Sequence, residues 1–156
     1  MALIPDDWTP RLASAVASAV REFSPLLRGE SVVCLDIGCF PWHGFIELSA
    51  LTAAELDTDP SKMDPREVAS WRFYNFSAGV KSWAAAEGLG ERMSETYDAA
   101  EDSNLAVTAE AFMLACARAA EAPEVLAAVS SLPRDPRFRV RVTHPDSGQV
   151  FGSPLA

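Results

Sequence analysis

The sequence predicts an α+β fold: a four-stranded, mainly antiparallel sheet with helices packed on one face, in the order α-β-β-α-α-α-β-β. Three observations lead there. Two runs, 31–38 and 45–51, alternate apolar and polar residues around a turn-rich loop, which is the pattern of a hairpin. A third alternating run, 137–143, sets Phe138, Val140 and Val142 against Arg137, Arg139 and Arg141. Between the hairpin and this strand the chain is rich in Ala and Glu at helical spacing. With 156 residues the chain is expected to form a single domain over 1–156, long enough to bury a core.

Each element has its own local reason. Thr9 as cap and Pro10 at the first helical position open a helix whose Leu12, Val16, Val20 and Phe23 share one face. Ser24-Pro25 ends or bends it. In the first strand Val33, Leu35 and Ile37 point one way, Cys34 and Asp36 the other. In the second, Ile46 and Leu48 oppose Glu47 and Ser49. The loop 39–44 carries the turn residues Pro41 and Gly44. Thr52-Ala-Ala-Glu55 has the form of a capping box. Asp64-Pro-Arg-Glu67 starts a further helix carrying Val68, Trp71, Phe73, Tyr74 and Phe76, an aromatic density that demands burial. Residues 80–132 are mostly helical, loosened at Gly88 and Gly90 and restarted at Pro123. Leu105, Ala109, Phe112 and Cys116 form one helical face. A turn at 145–148 leads to a short last strand, 149–152.

The alternation places the apolar residues of all strands against the helices. Centring the hairpin between Pro41 and Trp42 faces Leu35 with Leu48, Ile37 with Ile46, and Asp36 with Glu47 on the solvent side. Directly opposed carboxylates are unfavourable without compensation. The stripe Arg137, Arg139, Arg141 supplies it if the later strand lies beside this hairpin, and that neighbour relation is the expectation.

Composition narrows function by exclusion. Apolar residues make up 49% and charged ones 22%, with a formal net charge of −9. The chain's 13 Lys and Arg are outnumbered by 22 Asp and Glu, and phosphate neutralisation rests on an excess of cations, so neither nucleic acid nor an anionic membrane is an expected partner. A basic protein partner, or self-association, fits better. No apolar run reaches the ~18 residues of a membrane span. The N-terminal stretch MALIPDDWTP carries acids where a signal peptide carries bases, so the expected location is the cytoplasm. Three cysteines at these spacings are not a disulfide framework.

The stretch Cys34-Leu-Asp-Ile-Gly-Cys-Phe-Pro-Trp-His-Gly-Phe45 concentrates reactive residue types. Structural zinc wants four ligands, usually from two short-spaced pairs, and the second pair is missing. No metal and no cofactor is therefore expected. A nucleophilic Cys39 with His43 as base would need a third orienting group, which is not evident. If the chain is an enzyme, the candidates are Cys39, His43, Asp36 and Glu47. Trp42 and His43 at a hairpin tip suit contact with a partner, and Arg137, Arg139 and Arg141 are the other candidate binding residues. No phosphate-binding glycine loop, His-Glu-x-x-His or Gly-x-Ser-x-Gly occurs.

The helix and strand pair followed by Leu51-Thr-Ala-Ala-Glu55 and Asp64-Pro-Arg-Glu-Val-Ala-Ser-Trp71 resembles small uncharacterised bacterial domain families, some regarded as immunity proteins of polymorphic-toxin systems. The likeness covers roughly residues 10–80 and the terminal hairpin. It implies a bacterial protein-binding domain, immunity-like or regulatory, and carries over no active-site residue. The expectation is thus a non-enzymatic binding protein. A small hydrolase or metal-dependent enzyme built on the 34–43 region, and a structural homo-oligomer, are the alternatives.

Overall fold

Helix α1 spans Trp8–Phe23 in the computed structural model of the chain, which describes residues 4–152. The first three residues of the acidic N-terminal stretch lie outside the described residues. The helix buries Leu12, Val16, Val20 and Phe23 as the spacing requires, and each such side chain contributes about 1.5–3 kcal/mol. It starts earlier than Thr9, because Trp8 is itself buried and donates from Nε1 to the Leu89 carbonyl at 3.0 Å. Ser24-Pro25 turns the helix into a 3₁₀ segment, Ser24–Leu27.

Four strands follow: β1 (Val32–Phe40), β2 (Phe45–Thr52), β3 (Arg134–Thr143) and β4 (Val150–Phe151), in the spatial order β2-β1-β3-β4. The β1/β2 and β3/β4 pairs are antiparallel, but β1 and β3 are parallel, so the sheet is mixed rather than mainly antiparallel. The connection explains this. Residues 53–133 leave β2 at Thr52 and return at Arg134, and both of these residues pair with Val32. The chain therefore re-enters beside β1 heading the same way, and parallel neighbours require a long crossover of this kind. Four α-helices rather than three make the crossover: α2 (Ala53–Thr58), α3 (Glu87–Ala99), α4 (Leu105–Ala120) and α5 (Pro123–Ser130).

One sheet face carries Leu35, Ile37, Cys39, Ile46, Leu48, Phe138, Val140 and Val142 into the main core beneath α1, α3, α4 and α5. The other face is not solvated, which corrects the expectation of helices on one face only. It holds a second cluster of Val33, Cys34, Leu51, Leu56 and Trp71, covered by α2 and by 3₁₀ turns. Val33 belongs here because a bulge between Val32 and Cys34 turns it away from the main core.

The expected helix after Asp64 forms only as two 3₁₀ segments, Pro65–Ser70 and Phe76–Gly79, although Asp64 caps the first as predicted. The aromatics explain why. Trp71 is buried on the second face, whereas in the main core Phe73 meets Phe23 edge to face and Phe76 stacks on it, with centroids 5.2 and 3.9 Å away. One helical stripe cannot serve both faces. The chain bends at Asn75 (φ 48°) and wraps round the outer edge of β2. There Phe73 O accepts from Ala50 N, Ser77 Oγ from Leu48 N, and Ile46 O takes the Trp83 indole N–H at 3.2 Å. These bonds occupy edge groups that would otherwise template another strand. Gly88 and Gly90 do not break α3. Gly90 lets Gly44 of the hairpin turn approach its backbone. Among the described residues, no helix is long and apolar enough to cross a membrane.

Candidate functional site

The hairpin closes with Phe40 opposite Phe45, leaving four residues, 41–44, in its loop. This puts Asp36 opposite Ser49 and Glu47 opposite Gly38, a two-residue slip from the register centred at Pro41 and Trp42. A slip of two keeps parity, so Asp36 and Glu47 still share a face, as diagonal neighbours rather than opposed charges.

The arginine strand lies beside β1 as expected, with Arg141 paired to Asp36 and Arg139 to Cys34. The surroundings differ from expectation: Asp36 and Arg141 are 1% and 2% exposed. Asp36 Oδ2 accepts from Arg141 Nε at 2.7 Å and from Thr143 Oγ1 at 2.6 Å. Arg141 also donates from Nη1 to the Met63 carbonyl at 2.6 Å and lies 5.3 Å over the Trp71 ring, whose own N–H binds the Lys62 carbonyl. The buried arginine therefore ties the covering layer to the sheet. Burial pushes the Asp36 carboxyl above its ordinary value, against the pull of Arg141 and Thr143. Of the three arginines only Arg137 is exposed, and it is paired with Asp135 and Asp57.

Beside this pair lies a cavity of about 200 Å³ between the second sheet face and the covering turns. Its floor is Asp36, Gly38, Glu47, Ser49 and Thr143; Phe40, Tyr74, Val68 and Pro145 supply walls. Glu47 accepts the Tyr74 hydroxyl at 2.9 Å, and burial with this bond pushes the phenol up to about 12. Chemically, the cavity offers two carboxylates in different settings, the pattern from which acid–base pairs are built.

The other candidates do not join them. Cys34 lies in the second cluster and Cys39 in the main core, on opposite faces of one strand. His43 is exposed at the hairpin tip, stacked on Phe45 at 5.7 Å. Burial holds the Cys34 thiol at about 12, while a hydrogen bond with Cys116 and burial raise Cys39. No group of three metal-ligating side chains forms among the described residues. All three thiols are buried, so a chromogenic disulfide reagent at pH 8 is expected to label none in the native protein and three after denaturation. Rapid native labelling of Cys39 would revive the nucleophile reading. Trp42 is half-buried between Tyr97 and His144, at 6.2 and 5.6 Å.

Thr143, Phe40 and Tyr74 were not among the sequence candidates. Strand parity from Asp36 and Arg141 was enough to find Thr143. Nothing local marks Tyr74, whose position depends on the wrap round β2. Compared with family models, with curated proteins and with solved structures, the chain matches none.

Proposed function

We propose that this chain is a non-catalytic protein-binding domain, immunity-like or regulatory, that docks a basic segment of a partner protein in the cytoplasm. The observation that carries the reading is a groove of about 460 Å³ between the hairpin and α3. Phe45, 49% exposed, and Trp83 line it together with Glu47, Glu87 and Glu91, and among the described residues no Lys or Arg does. Aromatic rings beside carboxylates with no ion-pair partner among the described residues suit lysine and arginine side chains through ion pairing and cation–π contact. Glu95 and Asp98 extend the acidic face along α3, which would steer a cationic partner. His43 stacks on Phe45 at the hairpin tip, next to the groove, whereas Trp42 packs on Tyr97 and His144. Three buried, unpaired thiols support a reducing compartment. Self-association through the β2 edge finds no support, since Phe73, Ser77 and Trp83 occupy that edge.

Calorimetry with an arginine- and lysine-rich peptide tests this. Glu87→Lys with Glu91→Lys should weaken binding at least about tenfold. The charge-matched pair Glu110→Lys with Glu121→Lys, on α4 and just beyond it, should change it far less. Equal losses in both pairs would reduce the groove to general charge attraction and sink the reading. A proton-transfer enzyme is the second reading, favoured by one observation: Asp36 and Glu47 share a cavity. Turnover abolished by Glu47→Gln in a fully folded protein would establish it.

A further inference from the structure

We infer that the cavity under residues 65–69 is a site for an organic cation bearing N–H donors, a guanidinium or primary ammonium group. The inference rests on the basic-partner reading only for the source of that cation.

The polar atoms around the cavity are short of donors. Both bonds to Asp36 fall on Oδ2, and Oδ1 accepts none among the described residues. The side chain is nonetheless 98% buried, at 2% exposure, and lines the cavity. Thr143 has given its hydroxyl hydrogen to Asp36, and Tyr74 has given its own to Glu47. Ser49 Oγ accepts from the Asn75 N–H at 2.8 Å. The Ser49 hydroxyl keeps its one hydrogen to donate; otherwise what faces the space is lone pairs: Asp36 Oδ1, the Glu47 carboxylate, whose Oε1 also takes the Asn75 side-chain amide at 3.5 Å, and the Thr143 and Tyr74 oxygens. Among the described residues Arg66 is the sole cation of the lining, and its Nε and Nη2 are bound to Asp64 at 3.2 and 3.1 Å with the side chain 74% exposed. Arg141 does not line the cavity. One hydroxyl hydrogen cannot serve all these acceptors, so a bound molecule must bring most of the donors, and a cation compensates the second carboxylate as Arg141 compensates the first.

Shape agrees. Gly38 leaves the floor open, since a Cβ there would meet the Phe40 ring at 3.3 Å. The Phe40 and Tyr74 rings line the cavity, and aromatic rings attract a bound cation. A volume of about 200 Å³ is below the roughly 300 Å³ at which drug-sized ligands begin, and suits the end of one side chain or a small amine. Glu47 lines both this cavity and the groove, so a basic segment lying in the groove can place one side chain past Tyr74 into it.

The test is titration of the whole protein with methylguanidinium, ethylammonium and tetramethylammonium, followed by amide chemical shifts. The first two should give saturable shifts at Asp36, Tyr74 and Thr143. Tetramethylammonium, which has no N–H, should not. Glu47→Gln should raise Kd about tenfold, and Ala69→Leu, at an exposed lining position, should block binding without altering the sheet. Repeating the titration with an arginine-containing peptide separates a free amine from a side chain as the source: the side chain is favoured if the peptide competes with methylguanidinium. Absence of saturable shifts to roughly 100 mM overturns the inference, as does equal binding of tetramethylammonium or an unchanged Kd in Glu47→Gln. Loss of small-cation binding with peptide binding intact removes the cavity and leaves the groove. Peptide binding unaffected by Glu87→Lys with Glu91→Lys, alongside retained small-cation binding, removes the groove alone.

Discussion

Arg141→Met is expected to cost the fold about 3–5 kcal/mol, because it leaves the Asp36 carboxylate buried with Thr143 as its remaining donor. At this chain length that corresponds to a fall in Tm of roughly 6–20 °C. Asp36→Asn should act in the same direction by stranding a buried guanidinium, one of whose nitrogens, Nη2, already lacks a partner. The double variant Asp36→Leu with Arg141→Met removes both charges together. It should recover much of the loss, because each single change includes the penalty of the charge left behind. Urea unfolding of the three variants checks this; simple additivity would mean that the pair is not coupled. The pH dependence has a definite sign. Burial places the folded Asp36 carboxyl above its ordinary value of 3.8, so on acidification the folded state takes up this proton before the unfolded chain does. The group therefore favours folding most below the unfolded value, and this advantage is lost as pH rises through the folded one. Removing Arg141 widens the window. The deficit of Arg141→Met should accordingly be largest near neutrality and shrink toward pH 4, and a deficit that grows on acidification would contradict the assignment.

Gly90→Ala should destabilise the protein, although exchanging helical glycine for alanine ordinarily stabilises by up to about 1 kcal/mol. A Cβ on Gly90 would stand 2.1 Å from the Gly44 carbonyl oxygen and 3.0 Å from its carbon. Both contacts are backbone, so neither can rotate away, and Gly44 is itself held at φ +76° with Ser94 against it. The hairpin must lift from α3, at a cost of about 1–3 kcal/mol or more. Gly88→Ala, in the same helix with nothing within 4 Å of the added carbon, is the control and should stabilise modestly. Opposite signs for two substitutions two residues apart would confirm that the hairpin loop packs on α3. Equal signs would place the loop elsewhere.

That loop separates what was legible from what was not. Alternation fixes which residues of a strand share a face, so Asp36, Glu47 and Ser49 fall together whatever the register. The exact pairing depended on loop length, and nothing within 39–44 states that Phe40 and Phe45 are the closing pair. A two-residue error followed, without changing the face. The bulge at Val32 and Cys34 was harder, since it breaks parity itself and moved Val33 to the other cluster. The aromatic segment after Asp64 was legible as buried but not as two turns serving opposite faces. Its cap was local information; the division of Trp71 from Phe73 and Phe76 is decided by the edge of β2.

The sequence by itself determined the α+β class, the faces of the strands apart from Val33 at the bulge, the caps at Thr52 and Asp64, and the pairing of the arginine strand with the acidic one. These rest on periodicity, turn chemistry and charge, which act over a few residues or between alternating stripes. Only the tertiary structure decided that β3 runs parallel to β1, that Asp36 and Arg141 are enclosed, and that Cys34, Cys39 and His43 stand apart. Only it brought Tyr74 to Glu47 across 27 positions. The reason is physical: burial and long-range contact depend on which surfaces the crossover of residues 53–133 lays over the sheet, and no local preference encodes that outcome.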